Sequence, residues 1–121
     1  MSDYRMGIKL TARQAMPAAL KLLRAYFPEQ SLAALKQRIE TGEYLYLTDA
    51  EKYAADGRRV LARLMEDLDR LGLPSELYEE HRRGSVWEAS PITRDYLRNA
   101  IRRSQIIARQ VEEDIEHETE E

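Results

Sequence analysis

Between Ser31 and Leu47 the chain switches from one periodicity to another, and this stretch constrains the fold more than any other. It reads S-LAALKQRIE-TG-EYLYL. A serine suited to capping a helix is followed by about three turns with Leu32, Leu35, Ile39 and partly Ala34 on the inner side. Gly42 supplies the left-handed residue that closes a helix, and the alternating segment EYLYLTD then reads as a strand. Its tyrosines Tyr44 and Tyr46 are expected on one face and Leu45 and Leu47 on the other. A chain that turns from a helix into a strand across one glycine belongs to the mixed α and β class.

The flanking segments fit around that unit. Met6 to Thr11 reads as a short strand with Ile8 and Leu10 on one face and Lys9 on the other, and residues 1–5 are expected to be disordered. A helix beginning near Met16, with Pro17 at its start and Pro28 beyond its end, carries Ala19, Leu20, Leu23, Tyr26 and Phe27. The loop AEKYAADG leads to a third helix, capped by Asp56, in which Val60, Leu61, Leu64, Met65, Leu68 and Leu71 recur at helical spacing before Gly72 and Pro74 stop it. SELYEEHR returns as a strand, and Gly84-Ser85 closes the unit. The reading is an α+β fold, βααβαβ, with a three-stranded antiparallel sheet covered on one face by helices, over residues 6–84.

Residues 85–121 read as a long C-terminal amphipathic helix with an acidic tail. Ser90-Pro91 is a good helix start, Trp87 is placed to dock the helix on the core, and Ile92, Tyr96, Ala100, Ile107, Val111 and Ile115 form a stripe widened by Leu97 and Ile101. Charge along this segment is polarised: residues 82–110 hold 7 Lys/Arg against 2 Asp/Glu, and residues 111–121 hold none against 7. The stripe is longer than a small domain needs, so its second half is expected to meet a partner chain or a second copy. The partner-binding residues expected on these grounds are Tyr44 and Tyr46 on the sheet, Arg98, Arg102 and Arg103 on the helix, and Ile107, Val111, Glu112, Glu113, Asp114 and Ile115 toward its end.

The sequence carries no recognisable catalytic constellation. The chain has no cysteine, which removes thiolate catalysis and disulfides and suits a reducing cytoplasm. His81 and His117 are far apart and form no metal-binding pair, while Glu79-Glu80 and Asp67/Asp69 are spaced so that their side chains point apart. No P-loop, dinucleotide fingerprint or nucleophile elbow occurs. No catalytic, cofactor-binding or metal-binding residue and no cofactor is therefore expected, and the chain reads as non-enzymatic. Neither a signal peptide nor a membrane span is expected. Nucleic-acid binding is expected to be weak, because the acidic terminus and the net charge of −3 oppose the arginines.

The segments IKL, SLAALKQRIETGE, DGRRVLARLMEDLDRLG and SELYE, in that order, resemble the C-terminal domain of ribosomal protein L7/L12 and the related fold of the ClpS adaptor over residues 6–81. In the L7/L12 family the second helix carries two lysines that help recruit translation factors; the later falls on Lys36 here and the earlier on Ala33. The resemblance implies a fold used for binding proteins. The function expected is that of a small bacterial cytoplasmic protein that binds another protein: an inhibitor or immunity protein neutralising a toxin, or an adaptor. The alternative is an RNA- or ribosome-associated accessory factor using the basic helix, and a third reading is an enzyme whose site the sequence does not advertise.

Overall fold

The computed structural model describes residues 3–51, 55–103 and 105. The element order is β1 (Tyr4–Leu10), α1 (Pro17–Tyr26), α2 (Leu32–Thr41), β2 (Tyr46–Asp49), α3 (Ala55–Arg70), β3 (Ser75–Arg83) and β4 (Val86–Ile92). A fourth helix, α4, follows from residue 94 and is described to residue 103. The sheet has four antiparallel strands in the order β2-β1-β3-β4, not the expected three.

The first two helices form where the sequence placed them, and for the expected reasons. Pro17 starts α1, its missing N–H costing nothing in the first turn. The Ser31 hydroxyl accepts from the Ala34 N–H at 3.1 Å, and Gly42 closes α2 at φ 72°. Leu35 and Ile39 are buried, but Leu32 and Ala34, expected on the inner side, are exposed. The third helix begins earlier than expected. Asp56 lies within its first turn, pairing with Arg59 at 3.8 Å, rather than capping it.

All the helices contribute to one face of the sheet. Met6, Ile8 and Leu10 of β1 and Leu77 of β3 join Leu23, Leu35, Ile39, Leu61, Leu64, Met65, Leu68 and Leu97 in a single core. β1 also runs further toward the N-terminus than expected, since Tyr4 and Arg5 pair with His81 and Glu80.

The fourth strand is the main correction. Arg83 pairs with Val86 across the two-residue loop Gly84-Ser85, and the left-handed φ of 64° at Gly84 is what a type II′ hairpin turn needs at its first central position. The hairpin carries Ser90 and Pro91 into β4, so the helix start moves to Thr93, whose hydroxyl accepts from the Tyr96 N–H at 3.1 Å. Arg94, in the first turn of α4, turns toward α3. It grips Asp69 of α3 through Nε at 2.8 Å and Nη2 at 2.6 Å, fixing α4 against α3. These bonds draw the Asp69 carboxyl below its ordinary range. The expected continuation of α4 to Ile115 lies outside the described residues. Among the described residues no helix is long and apolar enough to cross a membrane.

Candidate functional site

With the helices on one side, the opposite face of the sheet carries no covering element among the described residues. Alternation sends Arg5, Gly7 and Lys9 of β1 and Glu76, Tyr78, Glu80 and Arg82 of β3 to this open face, and the register sets Trp87, Ala89 and Pro91 of β4 beside Arg82, Glu80 and Tyr78. Tyr44 arrives through an irregularity. Leu45 donates its N–H to the Ile8 carbonyl at 2.8 Å although Tyr46 is the ladder partner of Ile8, so two residues of one chain segment oppose one of β1, as in a β-bulge. The bulge places Leu45 and Tyr46 on the helix side and returns Tyr44 and Leu47 to the open side. The expected alternation of tyrosines against leucines is therefore broken.

Gly7 makes room for this arrangement. A Cβ there would lie 2.5 Å from Tyr44 Cδ1 and 2.8 Å from Leu47 Cδ1, so the tyrosine ring crosses β1 where the strand has no side chain. The ring then reaches the centre of the face. Its hydroxyl donates to Glu80 Oε2 at 2.6 Å, and Glu80 Oε1 accepts from Arg5 Nε at 2.7 Å. Glu80 is only 8% exposed, and a carboxylate so covered is tolerable only when both oxygens are bonded. Burial resists its ionisation, but the Tyr44 and Arg5 hydrogen bonds outweigh that and hold its carboxyl below the ordinary range. Burial and the same bond to Glu80 push the Tyr44 phenol up.

Cations lie over the rings. The Arg5 guanidinium sits 3.8 Å from the Trp87 ring centroid, and Lys9 Nζ sits 4.5 Å from that of Tyr44 and 5.2 Å from that of Tyr78. Tyr78 in turn donates to Glu76 at 2.9 Å and meets Tyr44 edge-on at 6.2 Å. The result is a half-buried plate of one tryptophan and two tyrosines, held in place by interactions already present. Trp87 therefore does not dock a following helix on the core. It is the outer member of this plate.

The pH dependence of Glu80 gives a test. Its depressed folded-state pKa contributes stability that is present above the ordinary carboxylate range and lost as the pH falls through the folded value. Between neutral pH and about pH 2, unfolding free energy measured by urea titration is expected to fall more steeply for the natural chain than for Glu80→Gln. Equal acid dependence in the two proteins would contradict the network.

The other residues expected to bind a partner are dispersed. Tyr46 stacks on Phe27, just past the end of α1, at 5.8 Å on the helix side, and meets Tyr44 only at a shallow recess of about 480 Å³ that also includes Arg38 and Glu43. Arg98 lines a second recess of about 300 Å³ between α3 and α4 with Arg59, Arg63 and Ile101, while Arg102 and Arg103 are exposed one turn further on. Ile107, Val111, Glu112, Glu113, Asp114 and Ile115 lie outside the described residues.

Sequence reasoning missed Arg5, Lys9, Tyr78, Glu80 and Trp87. The available signal was the alternation of Arg5, Gly7 and Lys9 against Met6, Ile8 and Leu10. His81 stacks on Tyr4 at 4.5 Å with its Nε2 3.7 Å from Glu79, and no cluster of three or more metal-ligating side chains occurs among the described residues. Comparison of the chain with protein-family models, with curated proteins and with solved structures found no match.

Proposed function

We propose that this chain is a non-enzymatic protein-binding module whose open sheet face receives a protein partner, in the manner of a small inhibitor, immunity protein or adaptor. The observation that carries the reading is the plate of Trp87, Tyr44 and Tyr78 held by Arg5, Glu80 and Lys9. Tryptophan, tyrosine and arginine are the residues that dominate binding energy at protein interfaces, above all when they are held rigid before the partner arrives. The charges on the face are nearly balanced, Arg5, Lys9 and Arg82 against Glu76 and Glu80, which suits a protein surface better than a phosphate backbone. The resemblance of residues 6–81 to the L7/L12 C-terminal domain and to ClpS points the same way.

The test uses a photoreactive amino acid in place of Tyr78, with the same group at Leu32 of α2, half exposed on the other side of the molecule, as the comparison. Cross-linking in the native host is expected to join a protein to position 78 and not to position 32. Calorimetry with that partner should then show that Trp87→Ala weakens binding by about thirtyfold or more, the effect of losing a central aromatic anchor. Cross-links to RNA from position 78, with an affinity that falls steeply with salt, would favour the accessory-factor reading instead.

A further inference from the structure

The two edges of the sheet are built differently. β2 is four residues long and enters through a bulge, which is how natural sheets blunt an edge. β4 is seven residues long and regular, with its residues exposed apart from half-buried Trp87 and Ile92, and it carries a single charge at Glu88. No strand lies beyond it among the described residues.

The hairpin fixes which backbone groups face outward. Across a two-residue turn the flanking residues form a hydrogen-bonded pair, here Arg83 and Val86, and bonded and non-bonded pairs alternate from there. Val86, Glu88, Ser90 and Ile92 therefore spend their N–H groups on β3. Trp87 and Ala89 turn N–H and C=O away from the sheet, and Pro91 turns out a C=O alone.

We propose that β4 pairs antiparallel with β4 of a second copy of this chain about a two-fold axis at Ala89. In that register Ala89 exchanges two hydrogen bonds with the partner's Ala89, and each Trp87 N–H donates to the partner's Pro91 carbonyl. All four outward donors are used, and the missing proline donors fall opposite the Trp87 carbonyls, which stay with water. The side chains agree: Trp87 lies beside the partner's Pro91 on the open face, and Glu88 lies opposite the partner's Ser90. An axis at Glu88 also satisfies four donors but sets Glu88 directly against the partner's Glu88, a destabilising like-charge pair. The axis at Ala89 gives a closed two-fold dimer with a continuous eight-stranded sheet and its two aromatic plates side by side. It does not rest on the identity of any partner at the open face.

Light scattering and sedimentation of the full chain from micromolar to millimolar concentration are expected to show a reversible dimer. Ala89→Pro removes the central outward donor without touching the β3 ladder and should raise the dimer dissociation constant by about tenfold or more. Circular dichroism checks that this variant is folded. Because the chain has no cysteine, Ala89→Cys supplies a second measurement that does not depend on the proline: paired Cα atoms about 5.5 Å apart are within disulfide reach, so mild oxidation should lock the dimer. A monomer at every concentration, a dimer that oxidised Ala89→Cys fails to lock, or preferential locking through Glu88→Cys overturns the proposal.

Discussion

Replacing Leu64 with alanine is expected to lower the unfolding free energy by about 2–5 kcal/mol, the range for truncating a fully buried leucine. Leu64 is 0% exposed in the middle of α3, flanked by Leu61, Met65 and Leu68 in the core shared by the sheet and the helices. The cavity cannot easily collapse, because α3 is held at its C-terminal end by the Asp69–Arg94 pair and near its start by the buried Arg58, whose Nη1 donates to the Ala50 carbonyl at 3.1 Å. Urea denaturation measures the loss directly, and a change below about 1 kcal/mol would place Leu64 outside the core.

The second large effect runs against local propensity. Gly57 occupies the first turn of α3, where alanine ordinarily gains about 1 kcal/mol over glycine. A Cβ at this position would collide with Thr48 Oγ1 and lie 2.9 Å from Thr48 Cβ and 3.2 Å from Thr48 Cγ2, so rotating the threonine does not clear the space. Gly57→Ala is expected to destabilise by about 1–3 kcal/mol, as overpacking does. Thr48→Ala, which removes two of the three crowding atoms, should restore part of that loss when combined with it, giving a coupling that independent sites would not show. A stabilised Gly57→Ala protein would mean that α3 does not approach β2 this closely.

These two positions also mark what the sequence could and could not convey. The spacing of Leu61, Leu64, Met65 and Leu68 announces a buried helix face because the signal is local and repeats every turn. The same is true of the Ser31 cap and the Gly42 stop. The close approach at Gly57 depends on where β2 lies, and no periodicity encodes that. β4 was obscured by a competing local signal: Ser90-Pro91 makes a good helix start, yet the two-residue Gly84-Ser85 spacing between β-compatible segments is equally good hairpin chemistry, and pairing with seven residues of β3 decided between them. The open face was partly legible. Lys9 could be assigned to one side of β1, whereas Arg5 fell in a segment expected to be disordered, and their meeting with Tyr44 and Trp87 requires the bulge at Leu45 and the hairpin together.

The position of β1 in the sheet bears on how the chain reaches its native state. The earliest made of the described strands is an inner one, and its ladder with β3 joins residues separated by 65 positions at Leu10–Ser75 and 77 at Tyr4–His81. Until β3 has been synthesised, the only ladder open to β1 among the described strands is the four-pair one to β2, with the helices packing on one face alone. Long-range pairing of this kind is slow because loop closure precedes the contacts that reward it. A nascent chain arrested before residue 75 should therefore leave Met6, Ile8 and Leu10 open to chaperones and proteases, and protection should appear abruptly once the hairpin of β3 and β4 has cleared the exit tunnel.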